Sequence, residues 1–172
     1  MMYRLFAYSL LFLVSMLFQV FFFDNLAISI YLSPLVYVAF IALLPMETPP
    51  IVVLACGLLT GLTMDWTMGL EGINTAVTLF SAFTRRMVMN LAIGKETVRE
   101  GGVPTVWKVG NYSFILYLVL FVALHHLAFF LLESLSWELM PIALLRFVLS
   151  SAVTGGFIWL FSQLFLSKLS SL

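Results

Sequence analysis

The chain has 172 residues, of which 63% are hydrophobic and 9% are charged, and its mean hydropathy is +1.12. A soluble domain carries roughly 25% charged residues, so this composition excludes a water-soluble globule. Eight basic and eight acidic residues cancel, and no strongly basic segment indicates nucleic-acid binding. We therefore predict an all-α integral membrane protein, a single multi-pass domain over residues 1–172 whose solvent is the lipid bilayer.

Six apolar segments predict a bundle of six transmembrane helices. The first follows Arg4 and is longer than a signal-peptide core, so we predict a retained helix. Ser33 and Pro34 are a typical helix start, and they leave residues 26–33 as either a loop or an inserted segment. The predicted helices cover approximately residues 5–23, 34–46, 50–65, 73–93, 112–132 and 141–166.

The distribution of lysine and arginine predicts the orientation, because cytoplasmic loops are enriched in both. With the N-terminus in the cytoplasm and six crossings, every basic residue except Arg146 lies on the cytoplasmic side, and so do both termini. Five of these residues form a predicted basic face on the cytoplasmic side. This face either sets the topology and contacts lipid headgroups, which we favour, or binds a cytoplasmic partner. Its residues are Arg85, Arg86, Lys95, Arg99 and Lys108.

Small residues and one carboxylate share a face of the third predicted helix. Gly57, Gly61 and Asp65 are spaced by four, and the two glycines form a GxxxG pair that allows another helix to approach closely. We favour packing within the bundle over binding of a partner protein. Asp65 is either a carboxylate at the outer helix end, which we favour, or a buried polar hub between the third and fourth helices.

The fifth and sixth predicted helices carry polar residues that we expect inside the bundle. Adjacent His125 and His126 point about 100° apart and lack the spacing of a metal site, so we predict histidines that form hydrogen bonds in the bundle. His126 and Glu133 share a helix face. Since charges in a membrane usually pair, we predict that Arg146 pairs with Glu133, Glu138 or Asp65.

No combination of residues indicates catalysis or a cofactor. The sequence contains no GxSxG, no HExxH, no phosphate-binding glycine loop and no nucleophile beside a base, so we expect a protein that is not an enzyme and binds no cofactor or metal. Cys56 is the sole cysteine and therefore forms no internal disulfide.

From Asp24 to about Gly94 the chain resembles the rod shape-determining MreD family of bacterial membrane proteins. The resemblance rests on Phe23-Asp24-Asn25, on Ser33-Pro34 leading to the stretch from Leu43 to Pro49, on the stretch from Gly57 to Asp65, and on Ala82-Phe83-Thr84-Arg85-Arg86. Where this chain has a second arginine at position 86, we expect the family more often to have proline. Beyond residue 112 the resemblance is looser.

The resemblance implies a six-helix bundle similar to the substrate-binding component of vitamin ECF transporters, located in the bacterial inner membrane. It also implies a non-enzymatic subunit of the cell-elongation complex that binds MreC. Through MreC it would support the MreB cytoskeleton and the peptidoglycan synthase RodA with its transpeptidase. The alternative is a vitamin-type binding or transport subunit, with an outer pocket that takes its polar groups from Asp65, Glu71, His126 and Arg146.

Overall fold

The computed structural model describes the backbone of residues 2–23, 32–70, 72–134 and 140–163, with side chains from residue 8 and, in the last range, from residue 141. All regular structure in these ranges is helical, which confirms the predicted all-α class. A π-helical turn, Phe18–Phe23, extends the first α-helix, and a 3₁₀ turn, Val36–Val38, precedes the second. The α-helices are α1 (Met2–Leu17), α2 (Ala39–Ala42), α3 (Pro50–Met68), α4 (Ile73–Ala92), α5 (Lys95–Glu100), α6 (Val106–Val109), α7 (Asn111–Ser134) and α8 (Met140–Phe161).

In the part of the chain that the structure describes, three helices are long and apolar enough to cross a membrane: Pro50–Met68, Asn111–Ser134 and Pro141–Phe161. A shorter apolar helix covers Tyr8–Phe23, and α4 has the length of a span but a more polar sequence. The chain therefore has the character of a membrane protein. Helix α3 begins at the predicted Pro50 and ends later than predicted, because Gly69 caps it with a left-handed backbone.

The long helices form a continuous row in which α4 packs between α3 and α7, and α7 packs on α8. Helix α1 packs on the short helical turns around Val36–Val38 and Ala39–Ala42. We call the end of the bundle with α5 and α6 the basic end. The end where α3 leads into α4 and α7 leads into α8 is called the opposite end.

Residues 32–46 do not form the helix that we predicted over 34–46. Only the 3₁₀ turn and α2 are helical there, and the flanking residues are irregular. Ser33 binds Ser150 at the opposite end, whereas Met46 binds Gly102 at the basic end, so this segment runs the length of the bundle. A regular helix over 34–46 would be about 20 Å long, which is shorter than a hydrocarbon core of about 30 Å. Extended residues rise further per residue than helical ones, so they cover the remaining distance along the bundle.

The irregular segment lies inside the bundle. Every side chain from Leu35 to Leu44 is at most 7% exposed, which makes it the largest continuous part of the core. Irregular backbone at membrane depth is tolerated only where protein surrounds it, because lipid offers no hydrogen bonds. The fold therefore has to supply partners for the free N–H and C=O groups of residues 32–46.

Several predictions concern residues outside the described ranges. They are the side chain of Arg4, the inserted or looped state of most of residues 26–33, the predicted pocket residue Glu71, the predicted Arg146 partner Glu138, and the last turn of the sixth predicted helix beyond residue 163.

Candidate functional site: a buried segment held by polar side chains

At the opposite end, helix α8 and the π-turn bind the start of the irregular segment. The backbone N–H of Ser33 donates to Ser150 Oγ (2.9 Å), and that of Leu35 donates to Thr154 Oγ1 (3.1 Å). Ser150 and Thr154 are one helical turn apart and fully buried. Their two hydroxyl oxygens accept backbone N–H groups that would otherwise be buried without an acceptor.

Gln19 supplies both a donor and an acceptor to the same backbone. Its Nε2 donates to the carbonyl of Pro34 (3.1 Å), and its Oε1 accepts from the N–H of Val36 (2.6 Å) and more weakly from that of Tyr37 (3.4 Å). Gln19 is 1% exposed and belongs to the π-helical turn after α1. A π-turn displaces side chains from the regular helical positions, and such turns are frequent at special sites.

In the middle of the bundle, Tyr37 connects the segment to α4 and α7. Its hydroxyl donates to Asn74 Oδ1 (2.8 Å) and lies 3.2 Å from His125 Nε2, while His125 Nδ1 lies 2.9 Å from Ser81 Oγ. All four side chains are fully buried. The chain of hydrogen bonds thus fixes three elements relative to one another, and His125 forms hydrogen bonds within the bundle as predicted.

His126 belongs to a different set of contacts from its neighbour. Its Nδ1 lies 3.1 Å from the carbonyl of Val122, which can only accept, so Nδ1 carries the proton of that bond. In the neutral ring Nε2 is then the acceptor, and Thr154 Oγ1, 3.1 Å away, donates to it. Because Thr154 also binds the N–H of Leu35, His126 fixes the hydroxyl that holds the segment.

At the basic end, Arg85 and Tyr117 bind the other end of the segment. The Tyr117 hydroxyl donates to the carbonyl of Ala42 (2.8 Å). Arg85 Nη2 donates to the carbonyl of Leu44, and Nη1 donates to that of Pro45 (3.5 Å). Arg85 is only 2% exposed, so it is not part of the predicted basic face.

The remaining residues of that face lie at the surface. Arg86, Lys95, Arg99 and Lys108 are all exposed, and Lys108 forms a 3.4 Å ion pair with Glu100. The adjacent loop is joined to the segment by Glu47, whose Oε2 accepts from the N–H of Gly102 (2.7 Å), and by the Met46 N–H bond to the Gly102 carbonyl (2.9 Å).

Asp65 has features of both predicted alternatives, a carboxylate at the helix end and a polar link between two helices. It is half-buried near the end of α3, and it joins α3 to α4 through the N–H groups of Asn74 and Thr75, both at 2.9 Å, and the hydroxyl of Thr75. The N-cap residue of α4 is Gly72, which has no side chain to perform this role. Asp65 therefore caps α4 from the neighbouring helix, where a negative charge also suits the helix dipole.

The predicted pairing of Arg146 is with Glu133. Arg146 Nη1 lies 2.8 Å from Glu133 Oε2, and Nη2 donates to Ser33 Oγ (2.9 Å). The guanidinium also lies 4.9 Å from the ring centre of Phe130, a cation–π distance. The pair joins α7 to α8 and reaches the start of the irregular segment, and His126 and Glu133 both face α8.

Gly57 and Gly61 pack against α4 inside the bundle. A Cβ added at Gly57 would lie 2.9 Å from Ala82 Cβ, and one at Gly61 would lie 2.4 Å from Thr75 Cα. Of the two alternatives for this GxxxG pair, packing against the chain's own α4 is therefore the one observed.

Three cavities lined by described residues adjoin these contacts. An apolar groove of about 750 Å³ lies between α1 and α3, with Phe40 and Leu44 of the irregular segment among its lining residues. A crevice of about 440 Å³ lies between α7 and α8 and includes Gly155 and Gly156. A smaller cleft of about 160 Å³ lies between the start of α3 and the end of α4, beside Arg85. None of the three is lined by Asp65, His126 or Arg146.

Sequence reasoning missed the residues that bind the segment from α1, α7 and α8. The signal was present for Gln19, because a glutamine within an apolar membrane helix is expensive unless it has partners. The hydroxyl residues gave no such signal, since serine and threonine in apolar helices commonly bind their own preceding turn, as Thr60 does with Cys56. The other missed residues are Tyr37, Asn74, Ser81, Tyr117, Ser150 and Thr154.

The arrangement is suited to holding backbone in place. Within the described ranges, no group of three or more histidine, cysteine, aspartate or glutamate residues is arranged to bind a metal ion. Comparison of the chain with family models, curated proteins and solved structures gave no match.

Proposed function

We propose that this chain is a non-enzymatic membrane subunit of the bacterial cell-elongation complex, in the inner membrane, with both termini in the cytoplasm. In this proposal it crosses the membrane six times, with residues 32–46 as the second crossing, in a bundle similar to the ECF substrate-binding component. It binds an MreC-type membrane protein, and through it supports MreB, RodA and the transpeptidase of RodA.

One observation carries the proposal: several residues that resemble the MreD family are among those that hold the irregular segment and the helices around it. Ser33 binds α8, and Arg85 binds the carbonyls of Leu44 and Pro45. Asp65 caps α4, and Gly57 and Gly61 permit the close approach of α3 and α4. Part of the resemblance therefore lies in residues that determine this architecture.

The contacts of Asp65, His126 and Arg146 also favour a structural subunit over a substrate-binding one. Asp65 and Arg146 direct hydrogen-bonding groups at neighbouring elements of the same chain, and His126 binds Thr154 of α8 as well as the Val122 carbonyl of its own helix. A substrate-binding site needs convergent polar groups that face a cavity, and the three cavities described above have none of these residues in their walls. Among the described residues, the vitamin-type alternative thus has no specific observation in its favour.

Depletion of the protein in a rod-shaped host tests this proposal. We expect cells to become round, and we expect an MreC-type protein to co-purify with the tagged chain after gentle solubilisation. Complementation with Gly61→Leu, which cannot pack on α4, should fail, whereas Gly155→Ala should restore rod shape. Cells that stay rod-shaped on depletion, together with no MreC-type protein in the purified material, would contradict the proposal.

A further inference from the structure

Arg85 has an unusual environment for a charged side chain. It is 2% exposed, and its Nη atoms donate to the carbonyls of Leu44 and Pro45. Its guanidinium also lies beside the Tyr117 hydroxyl, and its buried Nε has no hydrogen-bond partner among the described residues. Carbonyl oxygens satisfy hydrogen bonds but carry no net charge. The positive charge of Arg85 is therefore hydrogen-bonded without being neutralised.

No carboxylate of a described residue lies within 4.0 Å of the Arg85 guanidinium. Glu47, close by in sequence to the carbonyls that Arg85 binds, directs its Oε2 at the N–H of Gly102. Buried charges are normally paired, because removing an ion from water is costly and an opposite charge offsets that cost. An anion from outside the chain would fill this role.

The cleft beside Arg85 has a size and lining that suit a compact anion. It lies between the first turn of α3 and the end of α4, and its volume of about 160 Å³ corresponds to roughly five water molecules. Its polar lining comes from Arg85, Arg86 and Thr48, and its other walls, including Val53 and Met89, are apolar. Apolar walls lower the local dielectric and strengthen an ion pair formed inside.

The cleft opens where phospholipid headgroups are expected. It lies at the basic end, where Trp107 is 67% exposed and Tyr112 is 80% exposed, as is typical of residues at a membrane interface. Basic pockets between transmembrane helices are known places for anionic headgroups, and guanidinium groups match the geometry of phosphate oxygens.

We propose that Arg85 and Arg86 bind a phosphate group in the cleft between α3 and α4. The phosphate belongs either to an anionic phospholipid or to a free phosphate compound. Arg85 provides the buried charge, and the exposed Arg86 closes the cleft from the surface. This site is independent of the proposed role in cell elongation, because it depends only on the cleft and its two arginines.

Thermal melting of the purified full-length chain in maltoside detergent tests the site. The probes are dioctanoyl-phosphatidylglycerol, dioctanoylglycerol as the matched lipid without phosphate, and inorganic phosphate against chloride at equal ionic strength. The variant is Arg86→Gln, because its exposed side chain leaves the fold intact. The matched control is Arg99→Gln, which removes the same charge from the same end but outside the cleft.

For a phospholipid source, phosphatidylglycerol should raise the melting temperature and dioctanoylglycerol should not. Arg86→Gln should then need roughly tenfold more lipid for the same shift, as expected for one lost charge-assisted contact, while Arg99→Gln should behave like the wild type. Protection by inorganic phosphate alone, again weakened in Arg86→Gln, would identify a free phosphate compound. Equal responses of the two variants, or no response to either phosphate probe, would overturn the proposal.

Discussion

Two pairs of helices in this bundle contain two glycines each, one turn apart in α3 and adjacent in α8, and the glycines play different parts in the two pairs. Between α3 and α4, Gly57 and Gly61 lie against the neighbouring backbone, where an added Cβ would lie within 3.0 Å of another atom. Between α7 and α8, Gly155 and Gly156 have no atom within 4 Å of that position and border the 440 Å³ crevice. The same kind of sequence signal therefore marks a filled interface in one place and an open one in the other.

The difference follows from what holds each pair together. Helices α3 and α4 are joined by a short connection and are drawn close by Asp65, so their small residues permit backbone contact. Helices α7 and α8 are held by polar contacts at Arg146–Glu133 and Thr154–His126. Those contacts also bind the irregular segment, so the polar residues of this pair hold three elements and not two helices alone.

The largest expected effect is that of Gly61→Ala. The new Cβ would lie 2.4 Å from Thr75 Cα, which is backbone and cannot rotate away, so α3 and α4 must separate. We expect a loss of about 1–3 kcal/mol in stability and a marked fall in folded yield. Gly155→Ala is the matched control and should change stability by less than about 0.5 kcal/mol. Size-exclusion profiles and melting in detergent measure both, and equal behaviour would remove the distinction between the two interfaces.

The next effect is that of Gln19→Leu, which asks whether side chains are needed to hold the irregular segment. The substitution leaves the carbonyl of Pro34 and the N–H of Val36 buried without their partner. We expect a loss of about 1–3 kcal/mol, measured as a lower melting temperature. Thr63→Val, which removes a hydroxyl bound only within its own helix, is the control and should melt like the wild type. A Gln19→Leu protein as stable as that control would contradict the role of Gln19.

A smaller effect is expected for Arg146→Leu, which tests whether the ion pair with Glu133 is needed to hold α7 and α8 together. The pair with Glu133 is partly exposed, with 22% and 31% of the two side chains accessible, so its loss should cost about 1–2 kcal/mol. We expect a lower folded yield in detergent. Lys108→Leu, which breaks the more exposed pair with Glu100, should leave the yield unchanged. A yield that is unchanged in Arg146→Leu as well would show that the α7–α8 contact does not need this pair.

The smallest effect should come from Asp65→Asn at the α3–α4 end. Asparagine keeps one acceptor for the N–H groups of Asn74 and Thr75 and loses the charge, so we expect a loss of about 1 kcal/mol or less. Asp65→Leu removes both acceptors and should cost more. Melting curves of the two variants in the same detergent give the comparison, and a neutral Asp65→Leu would show that α4 needs no cap from α3.

Much of the helical framework is readable from the sequence, and the irregular segment is not. Proline at the start of α3 and glycine at its end mark a helix by local chemistry. Residues 34–46 are apolar on all sides, and a pattern without a polar face does not distinguish a helix from an irregular chain that protein surrounds. That this segment is partly extended depends on the length of the bundle it has to span, from Ser150 at one end to Gly102 at the other.

The candidate site shows the same limit at the level of single residues. Pairing of Arg146 was predictable, because an isolated charge in an apolar helix requires a partner. Arg85 and Arg86 are adjacent, and the sequence does not say which one turns inward, because their side chains differ by about 100° of helix rotation. The roles of Ser150 and Thr154 depend on where a distant segment passes, which no local pattern contains.

Cysteine cross-linking tests the central claim, that residues 32–46 run through the bundle beside α8, most directly. Both double variants carry Cys56→Ala and Leu35→Cys. The test variant adds Thr154→Cys, because Leu35 and Thr154 are joined by the 3.1 Å hydrogen bond. The control variant adds Val148→Cys, because Val148 lies on an exposed part of α8. Mild oxidation in native membranes should form a disulfide in the first pair and none in the second. Absence of the Leu35–Thr154 cross-link, or an equally efficient one to Val148, would contradict the account.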